Sequence, residues 1–206
     1  MKKPLISILS SLLMTGCSVF GIRTVEEAPY TVLLQDGDIQ IRQYKDIIIA
    51  QTIVDGSYDK TSSIAFNRLA RYIFGKNKAR QKIAMTAPVL QEIGNEKLAM
   101  TAPVLQQKSG DKWIMSFVMP FGFTLDTLPE PIDPEVKLAE IKAKKLSTIS
   151  YSGSLSEIGI TDHARKLKAW LDEKGYKAAS EPRSAGFDPP WTIPFLRRNE
   201  VHIDID

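Results

Sequence analysis

Reactive side chains are scarce in this 206-residue chain, and their scarcity limits the chemistry it can carry. Cysteine occurs once, at Cys17, and histidine twice, at His163 and His202. A single Cys excludes an intramolecular disulfide framework and any Cys-clustered zinc or iron–sulfur site. Neither His stands at a recognisable metal-binding spacing, no nucleophile–base pair is legible, and no Gly-rich phosphate loop of the nucleotide or dinucleotide kind occurs. The pattern points to a binding protein and gives no support for an enzyme. Its clearest polar feature is cationic: Lys60, Arg68, Arg71, Lys76, Lys78, Arg80 and Lys82 fall between Lys60 and Gln91 with no acid among them. Such a segment suits a carboxylate ligand, anionic lipid headgroups or plain solvation. It lacks a nucleic-acid recognition motif, so no nucleic-acid partner is predicted.

The apolar counterpart is a pair of methionine-bearing blocks. Lys82-Ile83-Ala84-Met85-Thr86-Ala87-Pro88-Val89-Leu90 returns 15 residues later as Lys97-Leu98-Ala99-Met100-Thr101-Ala102-Pro103-Val104-Leu105. With Gly94-Asn95 as a hairpin turn, Met85 would face Val104, Ala87 would face Ala102 and Val89 would face Met100. Both Met side chains would then line one sheet face, as an adaptable binding wall or as core. Pro88 and Pro103 cannot donate to a ladder and mark edges or bulges.

The elements that must position these residues are legible in outline. Tyr30 to Leu34 and Ile39 to Tyr44 flank the turn signal Gln35-Asp36-Gly37-Asp38, and Ile47 to Val54 follows, which reads as a meander. Ala65, Phe66, Leu69, Ala70, Ile73 and Phe74 recur at helical spacing before the stop signal Gly75. Trp113 to Met119 alternates as a strand with Trp113, Met115, Phe117 and Met119 on one face. Pro129, Pro131 and Pro134 give a rigid connection. Leu138 to Ser152 reads as one long strand. A second helix, Thr161 to Lys174, turns Ala164, Leu167, Trp170 and Leu171 inward and ends at Gly175. Strands at Tyr176 to Ala179 and Glu200 to Ile205 complete a second half that echoes the first. The predicted class is α+β, with two helices on a curved antiparallel sheet.

Composition fits one exported domain. Hydrophobic residues make up 43% and charged residues 25%, a globular balance. Lys2 and Lys3 precede an apolar run, Leu5 to Met14, that ends at Thr15-Gly16-Cys17, the layout of a secretory signal. That run is too short for the roughly 20 residues of a membrane span. Losing Lys2 and Lys3 with residues 1–16 turns the formal charge of +3 into +1. Leu13 to Cys17 resembles the lipobox of bacterial lipoproteins, although Met14 stands where Leu is usual. The resemblance implies that Cys17 becomes the first mature residue and carries diacylglycerol and an N-acyl chain such as palmitate. Ser18 in second place implies an outer-membrane destination facing the periplasm. The other reading is an ordinary signal with an incidental Cys. The predicted organisation is a lipoprotein signal over 1–16, a lipidated Cys and short tether over 17–28, and one domain over 29–206.

Four segments carry a further resemblance: Lys82-Ile83-Ala84-Met85-Thr86-Ala87-Pro88-Val89, Trp113-Ile114-Met115-Ser116-Phe117-Val118-Met119-Pro120, Ala185-Gly186-Phe187-Asp188-Pro189-Pro190 and Arg197-Arg198-Asn199-Glu200-Val201. In this order, over Glu26 to Asp206, the chain resembles the SOUL heme-binding proteins. The resemblance implies a distorted β-barrel of two related β-α-β-β halves, similar to bacterial effector-binding domains. It also implies a heme or other porphyrin ligand, placed beside the first helix. Carried onto this sequence, it puts Phe66, Leu69, Ala70 and Arg71 near the ligand, with Arg71 paired to a propionate and Met85 and Met100 as apolar wall. No His precedes the first helix, where some family members have been assigned an axial ligand. His163 is then an axial candidate only by elimination, as a partly packed helix residue, and His202 is predicted to face solvent. The function predicted is a membrane-anchored tetrapyrrole binder for transport, buffering or sequestration, using an apolar cleft with a basic rim. The alternative is an envelope interaction protein whose groove takes a hydrophobic peptide or lipid.

Overall fold

The computed structural model describes residues 25–93, 112–189 and 191–206. Cys17 and the predicted signal, the second methionine block with Met100, and the Gly94-Asn95 turn lie outside them. Along the chain come β1 (Glu26–Glu27), β2 (Tyr30–Asp36), β3 (Ile39–Tyr44), β4 (Ile47–Asp55), α1 (Tyr58–Ile73), β5 (Thr86–Ala87), β6 (Val89–Ile93) and β7 (Lys112–Val118). Then follow β8 (Lys137–Ile141), β9 (Lys145–Tyr151), α2 (Glu157–Lys174), β10 (Arg183–Gly186), a 3-10 turn (Pro194–Leu196) and β11 (Asn199–Asp204). Nine strands make one antiparallel sheet in the order β2-β3-β9-β11-β10-β6-β7-β4-β8, and β1 pairs with β5 in parallel beside it. The sheet curls but stays open, a half-barrel carrying two helices, and the predicted α+β class holds.

Two halves are related about the β6–β10 seam. β4, β7 and β6 carry α1 on one side of it; β9, β11 and β10 carry α2 on the other. Each half receives one strand from the other's hairpin, since β3 pairs with β9 while β8 pairs with β4. β3 and β4 are therefore consecutive in sequence but not neighbours in the sheet, which corrects the predicted meander to a single β2–β3 hairpin. The predicted long strand is likewise two strands in two places. It breaks at Lys142-Ala143-Lys144, where Asp46, from the corner between β3 and β4, accepts from the Ala143 amide at 2.7 Å and from Lys142 Nζ at 3.3 Å. The predicted strand at Tyr176 to Ala179 is reduced to one bridge, Ala178 to Ile205.

The predicted register of the first methionine block is not adopted either. Val89 stands opposite Phe117 of β7 and Gly186 of β10, so both edges of β6 are already filled. Ala87 pairs with Glu27 instead. Pro88 separates β5 from β6, and the Ala87–Pro88 bond is cis.

Alternation divides the sheet into two buried faces. Met115, Phe117 and Met119 join Leu69, Tyr72 and Ile73 beneath α1, and Trp113 meets Tyr58 edge-on at 5.1 Å. Ile149, Val201 and Ile203 pack against Leu167 and Leu171 of α2. The concave face gathers Tyr44, Ile49, Leu90, Val118, Leu146 and Phe187. Among the described residues no helix is long and apolar enough to cross a membrane.

Candidate functional site

Helix α1 forms because Tyr58, Thr61, Ala65, Leu69 and Tyr72 recur every three or four residues and bury one stripe on the sheet. The predicted ligand residues divide around that stripe. Leu69 is wholly buried and belongs to the core. Phe66 and Ala70 lie on one shoulder of the helix, four residues apart, and Phe74 at the C-cap extends the line. Phe66 is half-buried against Phe117 at 5.3 Å, Ala70 is buried, and Phe74 is 63% exposed. Phe74 thus leaves the core that its spacing predicted for it. A small side chain between two phenyl groups makes a shallow apolar trough.

The first methionine block borders this trough. The Ile83 amide donates to the Ile73 carbonyl at 2.7 Å, while Gln91 and Ser62 exchange hydrogen bonds at 2.9 and 3.2 Å. Residues 83–91 therefore run antiparallel along the shoulder from its end back toward its start. Met85 lies within that run, half-buried on the same hydrophobic cluster as Phe66.

Arg71 follows Ala70 on the helix and is exposed. Beyond it the chain turns around Asn77, a buried residue whose side chain donates to the Tyr72 and Gln81 carbonyls at 3.0 and 2.7 Å and accepts from the Gln81 amide at 3.0 Å. That turn holds Lys76, Lys78, Arg80 and Lys82 outward. Arg68 pairs with Asp133 at 3.5 Å and Lys78 with Glu130 at 2.7 Å, both acids coming from the proline-rich connection. Lys60, Arg71, Lys76, Arg80 and Lys82 have no acidic partner among the described residues. Cations beside an apolar trough match the two chemistries of a tetrapyrrole, a flat hydrocarbon ring and propionates.

A cleft of about 220 Å³ lies elsewhere, beside β1 and the loop after β7. Ile47, Val118, Met119 and Phe121 supply apolar lining, but its acids are Glu26 and Asp46. The predicted combination of apolar cleft and basic rim is thus not found here. Nor does Met85 line it.

The imidazoles are placed apart from the α1 shoulder. His163 sits on α2, half-buried, its ring stacked on Tyr151 at 3.9 Å and its Nδ1 2.7 Å from the Gly159 carbonyl. His202 corrects the prediction of a solvent-facing residue: it is 2% exposed on the concave face, because Val201 and Ile203 take the α2 side of β11. Its Nε2 meets Glu200 at 2.7 Å.

Glu200 is the hub of a charged network that no local sequence signal announces. Arg42, 158 residues away, donates bidentately at 2.8 and 3.0 Å, and Arg198 Nε donates at 2.9 Å. Arg198 also reaches Glu27 at 3.1 Å. Burial alone would raise Glu200, but hydrogen bonds from His202 and Arg42 overcome it and hold the carboxyl well below the usual range. Burial lowers His202, against the pull of Glu200, and the carboxylate finds its permanent counter-charge in the two arginines. With two arginines against Glu200 and Glu27, the network is balanced and serves to join β1, β3 and β11. Among the described residues no group of three His, Cys, Asp or Glu is arranged to hold a metal.

A family model described as SOUL heme-binding protein matches residues 25–204. Heme-binding protein 1 of Xenopus tropicalis is 27% identical over 161 residues, covering 78% of this chain and 80% of its own. Among solved structures, the C-terminal domain of EcmrR superposes with a TM-score of 0.58 at 13% identity, over 86% of this chain and 98% of that one. A protein from Listeria innocua described as a hydrolase gives 0.53 at 10% identity, over 84% and 94%. At such identities the likeness is one of fold alone, and the word hydrolase is not carried across.

Proposed function

Since the chain belongs to the SOUL heme-binding protein family, we propose that it binds heme or a related tetrapyrrole at the shoulder of α1. The match over nearly the whole domain carries this reading, and the residues on that shoulder fit the ligand. Phe66, Ala70, Phe74 and Met85 offer the ring an apolar surface, with the thioether of Met85 adaptable in shape. Arg71 and the outward cations of the Asn77 turn offer charge-assisted hydrogen bonds to propionates. Leu69 supports the site from beneath. His163 takes no part, because its helix packs on the other half of the sheet.

The protein is a binder and not a catalyst, and its role is tetrapyrrole transport, buffering or sequestration in the cell envelope. Cys17 carries the lipid that holds it at the outer membrane, facing the periplasm. Hemin titration tests the ligand: a saturable one-to-one shift of the Soret band supports it. Weak, unsaturable change would overturn it in favour of a hydrophobic peptide or lipid on the same surface.

A further inference from the structure

The strand that leads the chain into the domain is flanked by loops that expose aromatic side chains. Glu26 of β1 accepts the Phe121 amide at 2.7 Å, and Glu27 accepts Arg198 at 3.1 Å. Phe121 begins one loop, after β7. The other, between β10 and β11, holds Trp191 and Phe195. These side chains are 69%, 65% and 71% exposed.

Exposure here does not come from a loose backbone. In the β10–β11 loop, Thr192 and Phe187 are buried, the Arg198 guanidinium lies 3.7 Å above the Phe187 ring, and the Arg198 amide donates to Asp188 at 2.7 Å. The Gly153 amide donates to the Pro194 carbonyl at 2.8 Å. These contacts hold Trp191 and Phe195 in water on a bonded backbone, and the Glu26 carboxylate fixes the Phe121 amide in the other loop.

The start of β1 identifies the occupant. Cys17 precedes Val25 by eight residues, which reach at most about 28 Å when fully extended. Lipid chains on Cys17 would therefore keep the start of β1, to which both loops are bonded, within that distance of the bilayer. Tryptophan concentrates at membrane interfaces, and Phe suits the boundary between headgroups and acyl chains. We propose that Phe121, Trp191 and Phe195 form a docking rim around β1 that seats the domain on the membrane to which Cys17 is anchored. This rests on the lipid-anchor reading and adds an orientation to it.

The test uses the full-length lipidated protein in vesicles of phosphatidylethanolamine and phosphatidylglycerol with brominated acyl chains. The chain has three tryptophans, so contact quenching of Trp191 alone removes part of the emission and leaves the rest. Trp113 is buried and Trp170 lies on α2, stacked on Tyr176, so the emission left in Trp191→Phe reports those two alone. The proposal expects Trp191→Phe to abolish the bromolipid effect. An anchored protein with no quenching, or with quenching unchanged in Trp191→Phe, overturns the docking rim alone. A purified protein whose intact mass lacks the lipid overturns the anchor and the rim together.

Discussion

Side chains that neighbour each other in sequence have separate tasks at the α1 shoulder. Arg71 makes no acidic contact among the described residues, so Arg71→Glu should leave stability within about 0.5 kcal/mol and weaken hemin binding about tenfold, read from the Soret titration. His163→Ala should leave hemin affinity unchanged, since the imidazole is occupied with Gly159 and Tyr151. Glu200 belongs to stability. Glu200→Ala leaves Arg42 buried without a carboxylate, while the half-buried Arg198 keeps Glu27, and should cost about 3–5 kcal/mol in urea unfolding. The pH dependence follows from the same network. His202 lies below its ordinary 6.5, so the unfolded chain takes up a proton that the folded chain refuses, and stability falls as pH drops through about 6.5. Glu200 lies below its ordinary 4.5, so a second loss opens under about 4.5 with the same sign. His202→Gln should flatten the first slope and leave the second, measured by thermal unfolding across that range.

At the scale of elements, helix ends and hairpins are where local chemistry decides. Gly175 ends α2 at φ 76°, as its position in the sequence predicts, and nothing lies within 4 Å of a Cβ placed there. The cost of Gly175→Ala is therefore backbone alone, about 1–2 kcal/mol, visible as a lower unfolding midpoint. Both helices and the β2–β3 hairpin were legible because period and turn residues are local signals. The start of α2 was not: it begins at Glu157, four residues earlier than predicted, because Ser156 caps the Gly159 amide and accommodates a glycine in the first turn. β10 was missed because Arg-Ser-Ala-Gly has weak strand propensity, and pairing with β6 and β11 imposes the conformation. The break at Lys142 to Lys144 carries no Gly or Pro, since its cause is a carboxylate from another corner of the fold. On the shoulder, helical spacing gave Phe66 and Ala70 but set Phe74 inside. Whether a residue at the helix end turns outward depends on where the sheet beneath it stops.

For the whole molecule, charge is distributed as the sequence suggested, with the basic run gathered on α1 and the turn after it. Among the described residues, acids from the proline-rich connection pair with Arg68 and Lys78 of that run and with no other member of it. The exchange of β3 and β8 between the halves bears on the covalent chain itself. A single cut between Thr124 and Asp133 would give fragments that share the β3–β9, β6–β10 and β4–β8 ladders. Neither fragment could complete its own sheet, since each lends the other an outer strand. A protein nicked there should elute from a sizing column as one species and separate only in denaturant, with the pieces regaining hemin binding when mixed and refolded. The fold behaves as two clasped hands, and severing the link between them does not release the grip.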